Sequence, residues 1–131
     1  MALSIVAAKD VDQALEILSA RPQKTAKDHL AEEPEEIGKF LYDFRAAFTN
    51  YACYYRFDPY RDTCLEPDQV PAIKAFSDSV IEWLAEHCAE ENSVIRQYGV
   101  SFKKIRRFAV DLGHVCDTAM EHGYGVVGIG D

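Results

Sequence analysis

The segment SFKKIRRFAVDLGHVCDTAMEHGYGVVGIGD (residues 101–131) changes its hydrophobic period at Gly123. Phe102, Ile105, Phe108, Ala109, Leu112, Val115, Cys116 and Ala119 cover an arc of about 140° on a wheel of about 100° per residue. Ser101 suits the N-cap and Gly123 suits the left-handed residue that closes a helix. An arc this wide predicts a central helix touched by more than one neighbour. Past Gly123, Val126, Val127 and Ile129 form an extended apolar tail. That tail either docks on the helices or pairs with LSIVA (residues 3–7), a segment that reads equally as a short strand or an extra helical turn.

Three more helices follow from periodicity. The first spans about Val11 to Ala20, capped by Asp10, with Val11, Ala14, Leu15 and Leu18 on one face and Arg21-Pro22 as its stop. The second starts at Pro34, with Glu35 and Glu36 complementing the helix dipole. Its stripe of Ile37, Leu41, Phe44, Phe48, Tyr51 and Tyr55 implies roughly 20 residues, on the order of 30 Å, ending at Asp58-Pro59. The third runs from Asp68 or Pro71 to about Glu90, with Ile73, Phe76, Val80, Leu84 and His87 on one face. AEENS (residues 89–93) reads as a break leading to a short turn before Gly99. The expected architecture is all-α: one helical domain over residues 1–131, a bundle of about four helices, with a Gly-rich tail and room for a minor two-stranded element.

The chain has 131 residues, 48% hydrophobic and 27% charged, with a formal net charge of −8. That balance is globular, repels phosphate backbones and disfavours nucleic acid as a partner. The start, MALSIVAAKD, lacks a basic leader, and no apolar run approaches the roughly 20 residues of a membrane span. The expected compartment is therefore the cytoplasm. Cys53, Cys64, Cys88 and Cys116 show no CxxC spacing and read as free thiols.

The tail contains a literal G-x-G-x-x-G at Gly123, Gly125 and Gly128. A phosphate loop of that form needs a strand before it and a helix after it. Here the order is reversed, so a helix cap with an extended tail is the better reading. His29, His87, His114 and His122 form no ligand pattern; His114 and Cys116, two apart, point to different helix faces. Neither a metal nor a cofactor is implied, and no catalytic constellation stands out. The Glu32–Glu36 run suits a helix start or an acidic patch. Lys103, Lys104 and Arg107 lie opposite the apolar face of the last helix, with Arg106 at the edge, and read as a solvated surface.

The remaining feature is NYACYYRFDPYRDTC (residues 50–64). Tyr51 and Tyr55 continue the second stripe as core or half-core, with Tyr54 on the flank. Phe57 and Tyr60 follow the loss of helical phase, among Arg56, Arg61 and Asp62. Aromatics with arginine on a helix-end loop have the composition of an interaction hot spot. They either turn inward to close the bundle or outward to grip a partner.

Residues 108–131, FAVDLGHVCDTAMEHGYGVVGIGD, resemble the C-terminal ends of small acidic bacterial immunity proteins of polymorphic toxin systems. The resemblance rests on a helix with a central Cys and a Gly-rich apolar end. It implies a protein-binding module that neutralises a toxin domain by stoichiometric cover. The partner would be a basic toxin domain, met by Glu32, Glu33, Tyr54, Phe57, Tyr60 and Asp62. Two other classes fit the sequence. One is a helical adaptor or regulator acting as a homodimer rather than a monomer. The other is a small-molecule binder or enzyme with an inter-helix pocket formed by Tyr55, Trp83, His87 and Cys88.

Overall fold

A computed structural model describes residues 2–19 and 30–130. Along the chain come β1 (Ala2–Ala8), α1 (Val11–Ser19), β2 (Leu30–Pro34), α2 (Glu35–Asp43), α3 (Tyr51–Tyr54), β3 (Thr63–Leu65), α4 (Val70–Glu86), α5 (Glu91–Tyr98), α6 (Phe102–His122) and β4 (Gly125–Ile129). The expectation of an all-α helical bundle is overturned. Among the described residues, α1, α2 and α6 pack against a four-stranded antiparallel sheet of order β2-β1-β4-β3, well beyond a minor two-stranded element, while α4 packs on α6, α3 on α4 and α5 on α2. The expected stop at Arg21-Pro22, His29 and the terminal Asp131 lie outside the described residues.

The tail does pair with the LSIVA segment, in a register running from Ser4 opposite Ile129 to Ala8 opposite Gly125. Strand β1 is central and is covered on both faces, so it reads as a continuous apolar run without alternation. Leu3, Ile5 and Ala7, with Ala31, Leu65 and Val126 of the flanking strands, face the main core. Val6, Ala8, Leu30 and Val127 face the other way and pack against Val11, Ala14, Ile17 and Leu18 around α1. Leu15, placed on the α1 stripe by periodicity, is exposed. The Asp10 cap does form, its Oδ1 accepting from the Gln13 N–H at 2.8 Å.

Helix α6 follows its sequence signals closely. Ser101 Oγ accepts from the Lys104 N–H at 3.3 Å, and Gly123 closes the helix at φ 70°. All eight residues of the wide arc are buried. Helix α4 packs alongside, where Gly113 lies under Lys74 and Ser77: a Cβ there would stand 3.2 Å from Lys74 Nζ. Lys74 in turn reaches Asp117 across the seam at 3.2 Å. The AEENS break becomes the start of a full helix, α5, and α4 ends at Glu86 with a 3-10 turn over Cys88–Glu90.

The second predicted helix is broken. Helix α2 ends at Asp43, a 3-10 turn covers Arg45–Ala47, Phe48 is extended and Asn50 is left-handed at φ 59°. Asparagine tolerates that region better than most residues. The break is tied to α4: the Thr49 N–H donates to Ser79 Oγ at 3.0 Å, and Asn50 Nδ2 donates to the Ala72 carbonyl at 3.3 Å. Helical phase slips there. Tyr54 turns into the core at 4% exposure and Tyr55 turns out at 61%, the reverse of the continuous-helix reading.

The glycines of the tail serve packing. At Gly125 a Cβ would stand 2.1 Å from the Leu65 carbonyl oxygen, and at Gly128 it would stand 2.5 Å from Phe57 Cδ1. Gly125→Ala should therefore destabilise the chain by about 3 kcal/mol through backbone overpacking. Gly99→Ala, at a left-handed position with open space around it, should cost about 1 kcal/mol. Urea denaturation of the two variants checks the ranking.

Candidate functional site

Strand β2, one side of α2, α3 with the loop after it, and the end of α5 line a cleft of about 800 Å³. Six of the seven tyrosines line it: Tyr42, Tyr51, Tyr54, Tyr55, Tyr60 and Tyr98. The broken helix is what gathers them. A straight helix would have separated Tyr42 from Tyr55 by the length of about thirteen residues, on the order of 20 Å. Instead their ring centroids lie 5.8 Å apart, and Tyr51 and Tyr55 lie 5.6 Å apart. At one end the Tyr98 hydroxyl donates to Asp43 at 2.5 Å and ties α5 to α2.

Glu33 is the chemical centre of the cleft. It follows Ala31 on the core-facing side of β2, opposite Leu3 of β1, and is only 9% exposed. Its Oε2 accepts a short hydrogen bond from the Tyr54 hydroxyl. Oε1 lies beside Gly38, where a Cβ would stand 2.6 Å away, so glycine is what lets the carboxyl occupy this place. Burial pushes the Glu33 carboxyl up to about 7, against a smaller lowering by the Tyr54 bond. Burial first, then the charge of Glu33, hold the Tyr54 hydroxyl well above its ordinary range. None of the ion pairs among the described residues involves Glu33.

Tyr54 is locked from behind by Phe76, stacked at 4.4 Å, and by Phe57 edge-on at 5.6 Å. Phe57 and Tyr60 part company. Phe57 turns inward over Gly128, and Tyr60 turns outward at 67% exposure. Asp58 Oδ1, accepting from the Tyr60 N–H at 2.8 Å, fixes the turn that aims Tyr60 at solvent.

Of the sequence-predicted contact residues, Glu33, Tyr54, Phe57 and Tyr60 line this cleft. Glu32 points to the opposite face of β2 and lines a separate groove of about 360 Å³ with Lys104, Arg107 and Asp111. Asp62 is exposed outside both. The four residues of the inter-helix pocket do not converge. Trp83 and His87 stack on each other at 4.2 Å, with His87 Nδ1 2.8 Å from the Trp83 carbonyl oxygen. Cys88 is exposed nearby in the chain, and Tyr55 belongs to the tyrosine cleft. Sequence reasoning missed Tyr42, Tyr98 and Gly38. The available signal was tyrosine on the polar side of a helix: Tyr42 follows the buried Leu41 yet is 43% exposed.

Among the described residues, no three His, Cys, Asp or Glu side chains gather into a metal-holding group, and no helix is long and apolar enough to cross a membrane. All four cysteines are free thiols, and burial pushes the Cys116 thiol up to about 12. Compared with known proteins, the chain matches no family model, no curated protein and no solved structure.

The raised Glu33 carboxyl has a sign. The folded chain holds this proton up to about pH 7, whereas the ordinary carboxyl releases it near 4.5. Stability from this group is therefore fully present below about pH 4.5 and falls as pH rises through about 7. Glu33→Gln keeps the acceptor for Tyr54 and removes the buried charge. It should be more stable than wild type at pH 8 by about 1–3 kcal/mol, and nearly equal at pH 4. Chemical denaturation at the two pH values measures this.

Proposed function

We propose that this chain is a protein-binding module whose working surface is the tyrosine cleft. The observation that carries this is the trio Tyr42, Tyr55 and Tyr60, left exposed around one concave site. Tyrosine offers large contact area at low conformational cost, with a polar tip that tolerates water when unbound. Clustered exposed aromatics around a cleft have the chemistry of a hot spot. Within this class, the immunity-type resemblance of residues 108–131 favours stoichiometric cover of a toxin domain. The formal net charge of −8 would steer a basic partner.

The module works in the cytoplasm: four unpaired cysteines suit a reducing compartment. Its task is occlusion, and it performs no chemistry of its own on the partner.

The double variant Tyr55→Ala/Tyr60→Ala removes contact area from two exposed side chains, and should keep stability within about 1 kcal/mol of wild type. Affinity purification from the source cell, with quantitative mass spectrometry, compares it with wild type. A discrete basic protein held at equal stoichiometry by wild type, and at least about tenfold weaker by the variant, supports the proposal. Equal retention by both proteins would rule out the cleft as the working surface.

A further inference from the structure

We infer that the floor of the tyrosine cleft is a site for a guanidinium or ammonium headgroup, held between the Glu33 carboxylate and the faces of the tyrosine rings. The headgroup would arrive on an extended basic side chain of the partner, so this deepens the binding reading and rests on it.

Charge balance is the first argument. The charged side chains lining the cleft are Glu33, Glu35, Asp43 and Asp58 against Lys39 and Arg56, with Arg45 stacked on Tyr42 at its edge. Lys39 already stands 3.9 Å from Glu35. The balance favours a cation and disfavours an anion. A divalent metal ion asks for several oxygen ligands in one place, and no such group gathers among the described residues.

Shape and polarisability are the second. The rings of Tyr42, Tyr51 and Tyr55 cluster at the cleft, Tyr55 lying 5.8 Å from Tyr42 and 5.6 Å from Tyr51 between centroids, and such aromatic clusters attract cations and suit the flat guanidinium best. The same wall already holds one such group: the Arg45 guanidinium lies 4.1 Å from the centroid of the Tyr42 ring.

Glu33 is the third. Buried carboxylates are normally matched by a cation. Among the described residues Tyr54 bonds Oε2, and Gly38 adds no side chain beside Oε1. A headgroup entering from the cleft would supply the missing charge and take the bidentate geometry that guanidinium forms with a carboxylate. Because burial holds this carboxyl at about 7, cation binding should drive proton release. The groups that share its surroundings are Tyr51 and Tyr54 from α3, Glu35, Lys39 and Asp43 from α2, and Arg56 and Asp58 from the loop. Strand β1 contributes the uncharged Leu3 opposite.

The test is a titration of the full chain followed by 15N NMR. The probes are agmatine, a blocked Gly-Arg-Gly peptide, and the same peptide with citrulline, the neutral isostere of arginine. Arginine peptide or agmatine should shift the amides of Gly38, Tyr55 and Tyr60, with binding about tenfold tighter at pH 8 than at pH 6 as the ionised fraction of Glu33 rises. Glu33→Gln should weaken that binding at least about tenfold and abolish its pH dependence. Tighter binding of the peptide assigns the headgroup to a polypeptide; tighter binding of agmatine assigns it to a free amine and overturns the partner-borne source. The inference falls if neither cation moves the cleft amides of wild type, or if the citrulline peptide binds as well as arginine, an arm that needs no variant to fold. Loss of the partner by the tyrosine double variant alongside failed cation binding would leave the binding reading standing alone. The reverse pattern would leave only the headgroup site.

Discussion

Strand β4 lies between β1 and β3, and its glycines admit neighbours where any Cβ would collide. This pairing of the two ends of the chain is the constraint on which the site depends. On one side, β1 carries β2 and sets Glu33 opposite Leu3. On the other, Gly128 receives Phe57, and a Cβ at Gly130 would stand 2.5 Å from the Arg61 N and 2.6 Å from the Pro59 carbonyl oxygen. The floor of the cleft and the loop that walls it are therefore positioned from opposite sides of one strand pair. Cross-sheet register is strict when both faces are buried, since a one-residue slip exchanges every side chain between them. Here a slip would turn Glu33 away from Tyr54 and into the layer around α1.

The buried carboxyl is a cost that the fold carries. An apolar residue at position 33, opposite Leu3, would carry no desolvation penalty, and the Tyr54 hydroxyl would need another acceptor. What the acid adds is a charge at the base of a concave aromatic surface that otherwise has only π faces and hydroxyls. Its position against a stacked Tyr54–Phe76 pair fixes it in one geometry. A carboxyl held near 7 is balanced between acid and carboxylate around neutral pH, so a cation entering the cleft would draw it toward the carboxylate.

Much of the helical layer was legible in sequence. Ser101, Gly123 and the wide arc between them defined α6, and the stripe through Ile73, Phe76, Val80 and Leu84 defined α4. Of the sheet only the β1–β4 pairing was legible, as one of two readings of the tail, and the rest was not, for reasons specific to each strand. Strand β1 is buried on both faces and shows no alternation, β3 has three residues, and β2 hides two glutamates inside a run that reads as the approach to a helix dipole. The cleft was half legible. Glu33, Phe57 and Tyr60 stood out by composition, but their assembly required the break at Asn50. That break is set by contacts to α4 about 20 to 30 residues away in sequence, and no local signal overrides a stripe that otherwise continues in phase from Ile37 to Tyr55. The same slip exchanged the roles of Tyr54 and Tyr55.

The claim that unites fold and function is that a buried carboxylic acid, bonded to Tyr54, floors the tyrosine cleft. Its most direct measurement is a 13C NMR titration of the Glu33 side-chain carboxyl in the free protein. A single transition near pH 7, the lowering by the Tyr54 bond already included, is the expected result. A midpoint at the ordinary 4.5 would contradict it, because a carboxyl that titrates there is solvated and neither buried beneath the tyrosines nor waiting for a counter-charge.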